Sequence, residues 1–245
     1  GSDKSILRPL SSLNGRNIAG ISIDVGLSWE EAILNFIVAP EVFALLPEVC
    51  FGVVVVKGVD NTSARQETEA LLAASVRLAG EKFQTVKVKE AAEILPYREA
   101  FQTLGINPNK YMSSIEAMSS RIAKQKDFPR ISPIVDLVNA VSLKHLVPMG
   151  AHDLAAADGD IQVRLSRQGD SFIPFGADTA EVPEDGELVY SAGSMVKTRR
   201  WIWRQSEQGC VTAATRDIFF PIDGFHGQNE QRVLAARDEL ADWLE

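Results

Sequence analysis

An α+β fold is the class this sequence predicts. Three observations carry that reading. Up to Pro148 the apolar residues recur mostly at helical spacing; beyond it come short β-type runs divided by turn residues; and the chain closes on an amphipathic helical pattern. The 245 residues suffice for one sizeable core. With 45% hydrophobic and 24% charged residues, the composition is that of an ordinary soluble globular protein.

The elements follow in order. Residues 1–33 read as an N-terminal extension, an irregular lead-in with a short helix over Ser28–Ala32 that Ser28 would cap. Gly1-Ser2-Asp3-Lys4, without an initiator methionine, is set aside from fold reasoning. Residues 34–245 read as one domain. Leu34–Val38 is a short apolar run, and Pro40 opens a helical turn through Leu46. Cys50–Val56, with four valines in a row, predicts a strand buried on both faces that joins the later sheet. Ser63 and Gln66 have capping-box spacing and place a helix start at Ser63, with an apolar face through about residue 80. A second box, Ser113 and Glu116, opens a helix with the basic end Arg121, Lys124 and Lys126. Ser132-Pro133 opens a third, through about Leu146, apolar nearly all round and so expected to be buried. Strand candidates after Pro148 are Ile161–Leu165, Ser171–Pro174, Glu187–Tyr190, Trp201–Gln205, Cys210–Ala213 and Ile218–Phe220, separated by Gly, Asp and Pro. An amphipathic helix over about Asn229–Leu244 ends the chain, with Val233, Leu234, Leu240 and Trp243 on its apolar side.

Charge and motifs exclude several functions. A formal net charge of −8 argues against sequence-blind nucleic-acid binding over a basic surface, though not against one local basic patch. No apolar run is long enough for a membrane-spanning helix, so no membrane association is expected. Phosphate-binding glycine loops, helical zinc-binding histidine pairs and a nucleophile elbow are all missing from the sequence. No metal is expected. Cys50 and Cys210 read as free thiols among apolar neighbours, which suits a cytoplasmic protein.

Three places hold candidate chemistry. On the buried third helix, Asp136 and Asn139 lie on one side; they either bond backbone or an arginine, or line a polar pocket. At the helix end, Pro148-Met149-Gly150-Ala151-His152-Asp153 offers a histidine that could act as a base or hold a water, or simply lie on the surface. The third place is Arg199-Arg200-Trp201-Ile202-Trp203-Arg204-Gln205. Read as a strand, it turns Trp201, Trp203 and Gln205 one way and Arg200, Ile202 and Arg204 the other. The arginines would then converge, either on an acid such as Asp136 or Glu187, or on a ligand's phosphate, carboxylate or base.

The ordered series Tyr97-Arg98-Glu99-Ala100-Phe101, Arg130-Ile131-Ser132-Pro133 running into Val135–Leu143, Pro148 and Asp153, Gly159-Asp160-Ile161 with Arg164, Gly186-Glu187, Trp201–Gln205, and Thr215 with Asp217 resembles the B3/4 domain of bacterial phenylalanyl-tRNA synthetase β chains, and in particular its free-standing form. The likeness covers roughly residues 34–224. It implies a three-layer β-sandwich with helices on one side. It implies as activity the hydrolysis of a mischarged aminoacyl-tRNA ester, with tRNA or an aminoacyl ester as partner and with no metal or organic cofactor. On that reading Asn139, His152, Asp153 and Thr215 orient water or carry catalysis, and Asp136, Arg200, Trp203, Arg204 and Gln205 hold the substrate. The alternative is a non-catalytic module that binds RNA, an aminoacyl group or a protein. The pocket departs from the family pattern at Gly150, where the family has a histidine, at Val138, where it has a threonine, and at Pro221, where it has a glutamate. Nothing in the sequence fixes an oligomeric state.

Overall fold

The computed structural model describes the backbone of residues 5–7, 21–29 and 32–245, and side chains from Leu34 onward. The elements in chain order are β1 (Ser5–Leu7), β2 (Ile21–Trp29), β3 (Ala32–Val38), α1 (Pro40–Leu45), β4 (Val49–Lys57), α2 (Gln66–Thr85), α3 (Leu95–Thr103), α4 (Ser114–Ala123), α5 (Pro133–His145), β5 (His152–Asp153), β6 (Ile161–Leu165), β7 (Leu188–Ala192), β8 (Met195–Arg199), β9 (Arg204–Gln205), β10 (Ile218–Phe225) and α6 (Glu230–Leu244). They build a mixed α and β fold with two sheets, ordered β1-β4-β10-β5 and β2-β3-β6-β7-β8-β9.

The valine run explains the layering. Successive strand side chains point to opposite faces. Val53 and Val55 accordingly enter a core with Phe36, Tyr190 and Phe219 between the sheets. Val54 and Val56 enter a second core with Ile218, Phe220 and Ile222 on the same sheet face and Val138, Val141, Val233 and Leu240 from α5 and α6. β4 pairs with β10 along its whole length, from Ile218 opposite Val56 to Phe225 opposite Val49. The early strand therefore joins the later sheet, as its pattern predicts. Helix α6 lies flush on this sheet: a Cβ on Gly224 would stand 2.4 Å from Val233 Cγ2 and 2.7 Å from Asn229 Oδ1.

Local expectations were met where a cap or a two-sided apolar run set them. Ser113 accepts from the Glu116 N–H and Ser132 from the Val135 N–H, so both capped starts stand. Other expectations need correction. The segment expected as a helix at Ser28–Ala32 is extended where described: Ser28 pairs with Ile33 and Trp29 with Ala32; residues 30–31 lie outside the described residues. Helix α2 begins at Gln66, and its N-cap is Arg65, not Ser63. Ser171–Pro174 makes only isolated bridges, Ser171 with Met195 and Phe172 with Glu181, and Cys210–Ala213 is loop. Among the described residues neither stretch has a full-length partner strand to supply a hydrogen-bonded ladder.

Candidate active site

The arginine–tryptophan stretch is not the strand its alternation suggests. Only Arg204 and Gln205 pair, with Arg199 and Thr198. Arg200 and Trp201 instead form a turn in left-handed backbone, with φ of 46° and 61°. That conformation costs roughly 1–2 kcal/mol for each non-glycine residue, so the surroundings must hold it. Glu187 does so: its carboxylate accepts from the Arg200 N–H and receives the Arg199 guanidinium through both Nε (3.0 Å) and Nη2 (2.8 Å). The Arg200 guanidinium is buried. It lies 3.2 Å from Glu184, and its centre sits 3.9 Å from the Tyr111 ring centroid and 5.0 Å from that of Trp203. Arg204 is exposed, over the outer side of Trp203. Of the two readings of these arginines, the structure gives Arg200 the acid one, against Glu184 and Glu187, and the expected convergence of Arg200 with Arg204 is corrected, because a turn separates them.

What the turn does is place rings. Trp201 is fully buried and its indole Nε1 donates to Asp223 Oδ1 at 2.7 Å. Trp201, Ile202 and Trp203 line a chamber of about 70 Å³ together with Pro148, Met149, Gly150, His152, Tyr190, Thr198, Gln205, Pro221 and Asp223. Pro221 and Asp223 reach it together because they share one face of β10.

His152 fills the space that Gly150 leaves. A Cβ on residue 150 would lie 3.1 Å from His152 Nε2 and 3.1 Å from Pro221 Cγ. An imidazole therefore enters this corner from two residues further along the chain. Its neighbour Asp153 points away, because β5 pairs antiparallel with β10 and alternates. His152 stacks at 6.1 Å on Tyr190. Burial, and secondarily the charge of Lys197, lower its pKa to about 3. At neutral pH it is an uncharged hydrogen-bonding group and a weak base. Nδ1 lies 3.5 Å from the Gln205 amide nitrogen, which donates to Ala151 O at 2.7 Å.

Asp223 is the residue sequence reasoning missed. Oδ1 accepts from Tyr190 Oη and from Trp201 Nε1, each at 2.7 Å. Burial raises the carboxyl to about 7, against the lowering effect of those two bonds. Burial likewise pushes the Tyr190 hydroxyl well above its usual range, with the Asp223 charge adding to it. The available signal was an acid standing alone in the apolar run Ile218-Phe219-Phe220-Pro221-Ile222-Asp223-Gly224-Phe225.

Ser114, Met149 and Gln205 also line a second, larger space of about 550 Å³. Its walls are mainly apolar, with Met118 and Phe128 near α4, Val135 and Val138 from α5, and Phe175 and Ile131 exposed at the rim. Asn139 faces this cleft, a half-buried amide beside Val135 and Val138. Arg121, at the basic end of α4, stands on its edge. Trp203 lines the inner chamber, Asn139 the outer cleft, and Gln205 both.

The remaining candidates lie elsewhere. Asp136 is buried but bonds the Ile131 N–H (2.9 Å) and Arg130 Nε (2.5 Å), which fixes the entry to α5. Asp153 and Thr215 bond each other at 2.6 Å; Asp153 also takes the Ala155 N–H, and Thr215 takes the Thr212 N–H. These three side chains line neither cavity. Both cysteines are free thiols; Cys50 is buried and Cys210 lies on the outer cleft. Among the described residues no group of three potential metal ligands occurs, and no helix is long and apolar enough to cross a membrane.

The fold and cleft define a class: a helix-backed, two-sheet domain with a small cavity, mainly apolar but holding His152 and Asp223, beside a larger apolar cleft. Residues 96–245 match the family described as the B3/4 domain, and the chain belongs to that family. Over 103 residues it is 36% identical to the phenylalanine–tRNA ligase beta subunit of Vibrio vulnificus (strain YJ016), a match covering 40% of this chain and 13% of that one. It is 37% identical over 89 residues to the same-named subunit of Chromobacterium violaceum, covering 36% of this chain and 11% of that one. The chain thus spans a small part of the length of these relatives. A solved N-terminal fragment of the phenylalanyl-tRNA synthetase beta subunit from Pyrococcus horikoshii aligns with a TM-score of 0.36 at 14% identity, covering 46% of this chain and 40% of that one.

Proposed function

We propose that this domain binds the aminoacyl end of a tRNA and hydrolyses a mischarged aminoacyl ester there. The observation that carries the reading is a pair of adjoining cavities, a larger apolar cleft and a smaller one lined by a histidine and a carboxylate, which share Ser114, Met149 and Gln205, in a chain of the B3/4 family. The tRNA part draws support from the likeness to phenylalanine–tRNA ligase beta subunits. Arg121 at the cleft edge and Arg204 beside Trp203 offer local positive charge for phosphates in an acidic protein.

Ester hydrolysis needs a placed water and a donor for the developing oxyanion. The Asn139 amide, in the apolar cleft, suits those hydrogen-bonding tasks, and neutral His152 suits holding the substrate in the smaller cavity. With its pKa near 3, His152 is poorly matched to the role of general base. That mismatch favours a second reading, in which the domain holds an aminoacyl end without turning it over.

A panel of mischarged tRNAs separates the two. Hydrolysis above background, falling at least tenfold in Asn139→Ala and His152→Ala, is the expected result. Salt-sensitive tRNA binding with no turnover of any substrate would leave only the binding module.

A further inference from the structure

We infer that the inner chamber is a binding site for a primary ammonium group carried on a short alkyl chain, held by Asp223 Oδ2. This deepens the reading above by naming the chemistry of the group, and it rests on the same cleft being the ligand site.

The two oxygens of Asp223 differ. Oδ1 takes the donors from Tyr190 and Trp201, and among the described residues no hydrogen bond reaches Oδ2. Among the described residues, the side-chain polar atoms that are both sealed from solvent and unpartnered are three serine hydroxyls, of Ser75, Ser119 and Ser191. Oδ2 is not one of them, so its remaining surface opens on the chamber that Asp223 lines. The residue as a whole is 2% exposed, and no salt bridge reaches it among the described residues. A buried carboxylate with a bare oxygen calls for a donor, and one without a counter-cation calls for a charged donor.

The walls agree. Tyr190, Trp201, Trp203, Ile202 and Met149 make the lining mainly apolar, which suits the alkyl part of such a ligand. The titratable groups that interact with Asp223 are Tyr190 on β7, Tyr97 on α3 and Cys50 on β4, and His152 on β5 lines the same chamber. His152 is uncharged at neutral pH, and burial raises Cys50 to about 12 and Tyr97 well above its usual range. Lys197 acts on His152, and its Nζ is spent on Ala156 O at 2.7 Å. None of these groups supplies the missing cation.

Size sets the rest. The chamber's 70 Å³ is about half of the roughly 150 Å³ that admits benzene, so it takes an aminoalkyl tip and no ring. The methylenes and anything beyond them lie in the outer cleft, against Met149, Val138 and Met118. The matching aminoacyl groups are those whose side chain ends in a primary amine.

The test uses hexylamine and hexan-1-ol on the intact chain, by titration calorimetry in two buffers of different ionisation enthalpy. Hexylamine should bind at least tenfold tighter than hexan-1-ol. Below about pH 7 its binding should release a proton, because pairing ionises Asp223. Asp223→Asn should abolish the preference for amine over alcohol. Equal binding of the two probes, no binding of either, or a preference that survives in Asp223→Asn would overturn the inference. The proton release and the probe preference are read on the unaltered protein, so they stand even if that variant fails to fold. Neither probe carries RNA or an ester. Loss of the tRNA reading would therefore leave a positive result intact, and tRNA binding without hexylamine binding would overturn this inference alone.

Discussion

Asp223 and His152 face one chamber and are both perturbed by burial, in directions that keep each less charged. Their effects on stability run oppositely with pH. The Asp223 carboxyl titrates near 7 when folded and near its usual 3.8 when unfolded. Between those values the folded protein keeps a proton that the unfolded chain has released, so stability falls as pH rises through the window and the loss is complete above it. His152 is protonated near 6.5 in the unfolded chain and near 3 when folded, so its contribution is lost as pH falls below 6.5. Asp223→Asn removes only the first effect. Its urea midpoint relative to the parent should climb from pH 4 to pH 8; a difference that stays flat would refute the buried acid. At this scale the sequence singled out His152 but favoured a surface position for it, as a loop histidine; the fold buries it instead. Asp223 was not, because its importance depends on Tyr190 and Trp201, which are 33 and 22 residues away in the chain.

Elements were legible where the local pattern agrees with its tertiary surroundings. Ser113 and Ser63 both had capping-box spacing, yet only Ser113 caps a helix. Ser113 is buried under Ile202, whose carbonyl accepts from the Ser114 N–H, so the tertiary fold supports that start. Ser63 has no such support. Ser113→Ala should cost about 1 kcal/mol in chemical denaturation, and Ser63→Ala no more than a few tenths. The segment 199–205 shows the opposite outcome. Its alternation is a strand pattern, but Glu187 offers acceptors to two guanidinium groups and to the Arg200 N–H at once. Those bonds hold a left-handed turn that no local propensity favours. Loss of one partner from such a buried ion network costs on the order of 3–5 kcal/mol, enough to offset the strain.

At the scale of the molecule, β4 and β10 organise everything else. Each is buried on both faces, one towards the second sheet and the chamber, the other towards α5 and α6. The close seat of α6 depends on Gly224, which Val233 and Asn229 approach within 3 Å of a missing Cβ. Gly224→Ala should destabilise the whole domain by about 1–3 kcal/mol, and the unfolding transition should stay single, since the same sheet carries both cores. A separate early transition for α6 would show that the helix is not integral. The −8 net charge places any RNA contact on a local patch such as Arg121 and Arg204, so affinity should fall with salt along a shallow slope.

The sequence by itself determined the α+β class, the two-sided β4, the capped start of α5 and the amphipathic α6. Each of these follows from residue spacing within one segment, where periodicity and capping act over a few residues. Only the tertiary structure decided that Arg200 would be buried against acids, that His152 would occupy the corner left by Gly150, and that Asp223 would close the chamber. Those outcomes rest on side chains brought together from distant segments. Desolvation and packing, which set their charge and orientation, arise only once the sheets close over them.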